Sequence, residues 1–334
     1  MRAWQISAFG IDSLEFVERP TPAPGPGEVL VGVRAVSLNY RDLMVVKGSY
    51  NPKMKLPRIP LSDGAGEVVA IGADVTLWKP GDRVAGIFMQ NWLDGPLTRA
   101  KGRGALGGDV DGMLTDFIVL KEPGLVAIPD YLSFQEAATL PCAAVTAWNA
   151  LAAGELKPGS TVLLQGTGGV SIFALQFARL KGARVLGISS SYEKLKRATA
   201  MGLDAGLNYR DNPEWDRWAL DQTGGEGVDL VVEVGGAGTL PRSLKAIRPG
   251  GTIAQVGVLT QPTDSFPIPL LLHKTARIHG IYVGSRKDFL EMNRAISLAE
   301  LRPVGEEFDW RQAREALERM EEANHFGKLV LTVS

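Results

Sequence analysis

One junction constrains this chain more than any other feature. The apolar strand Val162-Leu163-Leu164-Gln165 runs straight into Gly166-Thr167-Gly168-Gly169-Val170-Ser171. The residues that follow place Val170, Phe173, Ala174 and Phe177 at i, i+3, i+4 and i+7. That spacing is one stripe of a helix that packs on a sheet. Strand, glycine turn and helix in that order form the opening half of a parallel β-α-β unit, and the turn is where such a unit holds a dinucleotide. Gly166 permits the tight turn, Gly168 lets the backbone approach a pyrophosphate, and the helix N-terminus at Gly169 and Val170 offers unpaired N–H groups, with Thr167 beside them. Ser171 stands where a third glycine is usual and is small enough for close packing. The alternative is a tight turn without ligand, although glycines this dense at a strand-to-helix junction have little other use.

The surrounding sequence agrees with such a sheet. From about Pro129, strand patterns at Thr161 to Gln165, Arg184 to Ser189, Ala205 to Asn208, Val228 to Val234, Thr252 to Val258 and Arg277 to Val283 alternate with helical ones, which predicts a doubly wound parallel sheet. Up to about Ile128 the grammar is all-β: Val29 to Val36, Gly66 to Ile71, Arg83 to Ile87 and Thr115 to Val119 are separated by turns such as Lys79-Pro80-Gly81-Asp82. A chain of 334 residues exceeds the size of one ordinary core, so two domains are expected. The expected division is 1–128 for a β-rich domain, 129–286 for the nucleotide-binding domain and 287–334 for a return to the first.

The second strand of the sheet discriminates between nucleotides. About 20 residues beyond the first glycine, an NAD site carries a carboxylate for the ribose 2′-hydroxyl. Here the strand ends Ser189-Ser190-Ser191 and Lys194 follows, so hydroxyl donors and a cation suit a 2′-phosphate, and NADPH is the expected cofactor. Tyr209, at the end of the third strand, is a further candidate phosphate or adenine contact. Lys196, Arg197 and Arg210 are as readily surface charge.

Composition narrows the partners. The 36 Lys and Arg nearly cancel the 37 Asp and Glu, so no strong field recruits nucleic acid or an anionic membrane, and a small-molecule substrate is expected. The single cysteine, Cys142, excludes an internal disulfide and a multi-cysteine zinc cluster, and fits a reducing compartment. Met1 to Phe16 lacks the pattern of a secretory signal, so a cytoplasmic location is expected. The weakly polar stretch Ala137 to Gly154 is interrupted by Thr139, Pro141, Thr146 and Asn149, and reads as a buried helix rather than a membrane span.

Several motifs together resemble those of the medium-chain dehydrogenase/reductase superfamily, in its zinc-independent quinone oxidoreductase branch. They are Leu61-Ser62-Asp63-Gly64-Ala65-Gly66, Pro80-Gly81-Asp82-Arg83-Val84, Leu140-Pro141-Cys142-Ala143-Ala144-Val145-Thr146-Ala147, the glycine turn, and His325-Phe326-Gly327-Lys328-Leu329. The resemblance covers nearly the whole chain. It implies an α/β fold in which a Rossmann doubly wound parallel sheet accompanies a GroES-like β-rich catalytic domain formed by both chain ends. It also implies a homodimer or homotetramer, with dimers formed by edge pairing of the last Rossmann strand. Zinc-using relatives place a cysteine at the position of Asn39, a His-Glu pair at Ser62-Asp63 and a cysteine at Cys142. Catalytic zinc needs three ligands of Cys, His or carboxylate type. Only Cys142 survives of that set, and the lobe from Asn91 to Gly108 has no cysteine for a structural zinc, so no metal is expected.

Without a Lewis acid, hydride transfer depends on positioning and on hydrogen bonds to the oxygen that gains charge, which favours quinones and α,β-unsaturated carbonyls as acceptors. By the resemblance, Asn39 and Tyr50 face cofactor or substrate, and Thr146 packs against the nicotinamide. Tyr50 either donates to the substrate carbonyl or is a packed loop residue. Asp42 is a further polar candidate or a helix cap. Arg286 either helps hold the cofactor or forms a surface ion pair, and Phe88, Trp92 and Tyr282 are candidates to line an apolar pocket. The leading expectation is an NADPH-dependent quinone or enone reductase. The alternatives are an enoyl-thioester reductase using Arg99, Lys101 and Arg103 at its entry, an alcohol dehydrogenase, and a non-catalytic NADPH-binding protein.

Overall fold

The structure is a computed structural model that describes residues 1–261 and 266–334. The chain forms two compact units, Met1–Val145 together with Gly284–Ser334, and Thr146–Val283. The residues from Pro129 to Val145, expected in the second unit, are tied into the first. Ser37 Oγ donates to the Ala138 carbonyl, and the Tyr131 hydroxyl donates to the carbonyls of Ile296 and Leu301.

In the first unit, β1 (Arg2–Ile6) and β2 (Leu14–Glu18) form an antiparallel pair. They are followed by β3 (Glu28–Leu38), α1 (Tyr40–Val46), β4 (Asp63–Ile71), β5 (Arg83–Gly86), β6 (Phe117–Lys121), β7 (Leu125–Ala127) and the one-turn α2 (Phe134–Ala137). The turn into β5 shows how local chemistry fixes the path. Asp82 Oδ2 accepts from the Lys79 amide at 2.9 Å, and Gly81 takes φ of 93°, which a residue with a side chain resists. Antiparallel partners flank β3, namely β4 on one side and β6 on the other. Its residues are buried almost without interruption.

The second unit alternates as the sequence predicts. It contains α3 (Val145–Ala153), which crosses the unit boundary, β8 (Thr161–Gln165), α4 (Gly169–Leu180), β9 (Arg184–Ser189), α5 (Tyr192–Ala200), β10 (Ala205–Asn208) and α6 (Trp215–Asp221). Then come β11 (Val228–Glu233), α7 (Leu240–Ala246), β12 (Ile247–Gln255), α8 (Ile268–Lys274) and β13 (Arg277–Gly280). All six strands are parallel, in the order β10-β9-β8-β11-β12-β13. Strand order reverses between β8 and β11, the place where open α/β sheets bind ligands beyond the carboxyl ends of their strands. Leu163, Leu186, Val231 and Ile253 are fully buried in the centre of this sheet. At its edge, all four residues of β13 are exposed.

The last segment adds α9 (Arg286–Leu298), β14 (Gly305–Asp309), α10 (Ala313–Glu321) and β15 (Lys328–Thr332) to the first unit. On α10, Ala313, Ala316, Leu317 and Met320 form the buried stripe of an amphipathic helix. β15 pairs antiparallel with β3, Leu329 opposite Leu38, and this register brings Lys328 to the end of β3. Gly327 makes the entry possible: its φ is 74°, and a Cβ there would lie 2.2 Å from the Val304 carbonyl oxygen. Among the described residues, no helix is long and apolar enough to cross a membrane.

Candidate active site

Two groups of predicted residues lie in separate units, each built by the ends of strands. In the first unit, Asn39 follows β3 and caps α1, and its amide N–H donates to Asp42 Oδ2 at 2.8 Å. The other oxygen, Asp42 Oδ1, accepts from the Ser62 amide at 3.2 Å. Asp42 is thus more than a cap: it binds the start of α1 to the start of β4. The Asn39 side chain donates through Nδ2 to Ser62 Oγ at 3.4 Å, and Ser62 Oγ donates to Asp63 Oδ1 at 2.7 Å. Asp63 Oδ2 accepts from the Cys142 amide at 3.0 Å.

Lys328, missed as a site residue by sequence reasoning, closes this network. Its side chain is 2% exposed, and Nζ donates to Asn39 Oδ1 at 2.6 Å and to the Leu38 carbonyl at 2.5 Å. The ammonium lies 4.0 Å from Asp63 Oδ2. The available signal was a lysine opening an otherwise apolar strand, Lys328-Leu329-Val330-Leu331.

Burial governs the ionisation of the acids. It is the main cause that raises Asp42 to about 6, with Asp63 adding to the rise and Arg41 opposing it. Asp63 is also raised, first by burial and against the pull of Lys328. Burial, with Asp63 nearby, raises the Cys142 thiol well above its ordinary range, so this cysteine is a poor thiolate. A carboxyl with a raised folded-state pKa binds more protons when folded, so its contribution is greatest below the ordinary value of 3.8 and is lost as pH rises toward about 6. The stability of the wild type relative to Asp42→Asn should therefore fall by on the order of 2 kcal/mol between pH 4 and 7. Urea unfolding of both proteins at each pH measures this, and a constant difference would contradict the assignment.

Tyr50 is partly exposed, and its ring lies 4.8 Å from the Arg41 guanidinium. Phe88 meets the same guanidinium at 4.6 Å. Phe88, expected in a pocket lining, is buried and serves as a platform for Arg41. Arg41 Nη1 donates to the Leu106 carbonyl at 2.9 Å and lies 3.7 Å from Asp42 Oδ1. Two acids, Asp42 and Asp63, thereby meet two bases, Arg41 and Lys328. Trp92 donates through Nε1 to the Gly95 carbonyl. At the basic loop, Lys101 Nζ donates to the carbonyls of Asp94 and Pro96. A cavity of about 520 Å³ also lies in this unit, against Ile59, Leu106, Phe117 and Leu120, but neither Asn39 nor Tyr50 lines it.

In the second unit, Gly166 takes φ of 71°, and a Cβ there would meet open space, so this turn needs glycine for its conformation alone. Gly168 precedes α4 with no side-chain cap, which leaves the first-turn N–H groups of Gly169 and Val170 for an anion. Thr167 is largely buried beside them. Ser171 Oγ donates to the Gln165 carbonyl at 2.7 Å and, being buried, does the packing expected of a small residue. These features fit a dinucleotide pyrophosphate.

At the end of β9 the three serines differ. Ser189 is buried, and its Oγ accepts from the Ser191 amide at 3.3 Å. Ser191 caps α5, accepting from the Lys194 amide at 3.3 Å while keeping its own hydroxyl proton to donate. Ser190 and Lys194 are half-buried, and Tyr209 is exposed with its amide donating to the Ser189 carbonyl. Thr146 is buried on α3. Arg286, expected beside the cofactor, opens α9 in the first unit, with Nε donating to the Leu125 carbonyl at 3.1 Å and its amide to the Trp92 carbonyl.

Glu233 is the residue of this unit that sequence reasoning overlooked. It is fully buried at the end of β11. Oε1 accepts from the Gly235 and Gly236 amides, each at 2.9 Å, and from Thr239 Oγ1 at 2.6 Å. Oε2 accepts from Gln165 Nε2 at 2.7 Å and from Ser243 Oγ. One carboxylate thus ties the residue before the glycine turn to the loop after β11.

The chemistry of the first cluster does not fit a catalytic zinc. Asn39 and Ser62 are poor ligands, Asp63 is engaged by two donors and a cation, and the Cys142 thiol resists ionisation. Among the described residues, no three His, Cys, Asp or Glu side chains gather to hold a metal.

Parallel strands in this order and a glycine turn at their reversal define a nucleotide-binding architecture, here with a β-rich companion unit. The family models agree: residues 25–130 match an alcohol dehydrogenase GroES-like domain and residues 169–298 match a zinc-binding dehydrogenase domain. The chain belongs to the medium-chain dehydrogenase/reductase superfamily and is an oxidoreductase of that family. It is 44% identical over 333 residues to a zinc-type alcohol dehydrogenase-like protein of Schizosaccharomyces pombe, covering 97% of this chain and 96% of that one. It is 33% identical over 273 residues to a quinone oxidoreductase of Pseudomonas aeruginosa, covering 81% and 77%. An NAD-dependent alcohol dehydrogenase of known structure superimposes with a TM-score of 0.92 at 34% identity over 100% of both chains.

Proposed function

We propose that the protein is an NADPH-dependent, zinc-independent reductase that delivers hydride to a quinone or an α,β-unsaturated carbonyl. The observation that carries this reading is the Asn39-Ser62-Asp63 network, in which an amide and a hydroxyl stand where, by the resemblance, a metal-using site has ligands, and Asp63 is taken up by hydrogen bonds and the neighbouring Lys328. Similarity to the Pseudomonas aeruginosa quinone oxidoreductase supports the acceptor class. NADPH, when bound, supplies the hydride from its nicotinamide ring.

The chain's own residues have four tasks. Gly166 to Val170 hold the pyrophosphate with backbone N–H groups. Ser190, Ser191 and Lys194 hold the 2′-phosphate, Tyr209 flanks it, and Thr146 packs against the nicotinamide. Asn39, held by Ser62 and Lys328, orients the acceptor or the nicotinamide ribose. The Tyr50 hydroxyl, its ring held by Arg41, donates to the acceptor oxygen as it gains charge. Solvent supplies the proton that completes the reduction.

The cofactor assignment departs from the NAD-dependent structural relative because β9 ends in Ser189, followed by Ser190 and Ser191, with no carboxylate at the strand end and Lys194 in the first turn of α5. Lys194→Ala should raise the KM for NADPH by roughly 10-fold, the loss of one charge-assisted phosphate contact, and leave NADH use nearly unchanged. Steady-state kinetics with both nucleotides reads this. Equal losses with both would remove the 2′-phosphate role.

A further inference from the structure

We propose that Arg41 is a positioning residue through which the segment 104–108 sets the Tyr50 ring toward the acceptor. The Arg41 guanidinium lies over two aromatic rings, Phe88 at 4.6 Å and Tyr50 at 4.8 Å. Phe88 is buried and has nowhere to turn. Tyr50 is partly exposed, so its direction is the one the guanidinium decides. The Tyr50 amide donates to the Met44 carbonyl at 3.2 Å, which ties the backbone to α1 and leaves the ring to its neighbours. A planar cation over a ring face favours one orientation of that ring, and a point charge on a flexible stem does so less well.

Arg41 is itself aimed by a segment 65 residues along the chain. Nη1 donates to the Leu106 carbonyl at 2.9 Å, and the side chain is 10% exposed. Gly108 makes the room for Nη2. A Cβ on Gly108 would lie 2.3 Å from Nη2, whereas the Ala105 carbonyl oxygen would stay at an ordinary 3.8 Å. Gly108 takes no positive φ, so the glycine is needed for space rather than for conformation. A methyl group at this position would therefore displace the guanidinium and little else. The Leu106 carbonyl, Gly108 and Phe88 together form the seat that holds Arg41 over Tyr50.

The effect on turnover rests on the proposed reductase function, through the Tyr50 donor, whereas the seating of the ring does not, and the test separates them. R41K keeps the charge beside Asp42 but loses the plane, G108A moves the plane without changing charge, and Y50F keeps the ring without its hydroxyl. Thermal unfolding confirms that each variant is folded. Trypsin cleavage after Lys53 and Lys55, both exposed in the segment that follows Tyr50, is timed with no substrate present. R41K and G108A should speed it by roughly 10-fold, the size of one lost stacking contact, and Y50F should match the wild type. Cleavage at the wild-type rate in both R41K and G108A would overturn the seating.

With NADPH and para-benzoquinone, R41K and G108A should each lower kcat by roughly 10-fold and leave the KM for NADPH unchanged. R41K/Y50F and G108A/Y50F should lose no more than Y50F alone, because the arginine acts through the tyrosine. Losses that add would overturn the positioning role. Faster cleavage in R41K and G108A with kcat unchanged in Y50F, or with no turnover by the wild type, would place the failure in the reductase reading and leave the seating of Tyr50 standing.

Discussion

Asp63→Ala is expected to lower the melting temperature of the first unit by roughly 6–20 °C, read by scanning calorimetry. Asp63 is fully buried, takes the Ser62 hydroxyl and the Cys142 amide on its two oxygens, and faces the Lys328 ammonium. Removing it leaves the cation buried without its nearest counter-charge, a loss of about 3–5 kcal/mol when one partner of a buried pair is deleted. It also orphans the Cys142 N–H. Asp63→Asn, which keeps an acceptor but not the charge, should fall between the alanine variant and the wild type. A loss below about 1 kcal/mol for the alanine variant would mean that water reaches Lys328 and screens it.

Glu233→Ala should be comparably damaging in the second unit, at about 3–5 kcal/mol, because several buried donors lose their acceptor at once. The functional effect should accompany the structural one. Gln165 precedes Gly166 and donates one of its hydrogen bonds to Glu233, so the glycine turn loses its support and NADPH affinity should fall by roughly 10-fold or more even in folded protein. Glu233→Gln is the informative companion. It fills the same volume but presents an NH2 group to neighbours that are mostly donors, so it should recover only part of the stability. Calorimetry and NADPH fluorescence titration read the two effects, and a glutamine variant equal to the wild type in both would contradict the account of Glu233 as an acceptor for five groups.

The fold was legible because its signals are local. Period 2 strands and Pro-Gly turns before Ile128, and strand-helix alternation after Pro129, are set by side-chain alternation and turn chemistry that a single sequence displays. The glycine turn carries its own conformational demand, as the positive φ of Gly166 makes plain. The boundary near Val145 was not legible, because it depends on Tyr131 reaching carbonyls some 165 residues away.

The site divides in the same manner. Asn39, Asp42 and Tyr50 were accessible through a motif. Lys328 and Glu233 were not, since a lysine or glutamate at the end of an apolar strand looks like a solvated end until the register buries it. Ser189, Ser190 and Ser191 looked alike in sequence, yet the turn into α5 gives each hydroxyl a different partner. Arg286 lay one helix start too far along the chain to belong to the nucleotide-binding unit.

The proposed reductase uses NADPH and no zinc. Its most direct test follows NADPH oxidation by purified protein against quinones, α,β-unsaturated carbonyls, enoyl-thioesters and saturated aldehydes, with and without a strong chelator. The account predicts consumption of NADPH with quinones or α,β-unsaturated carbonyls at a rate the chelator does not change. Activity confined to saturated aldehydes or alcohols, and abolished by the chelator, would contradict it.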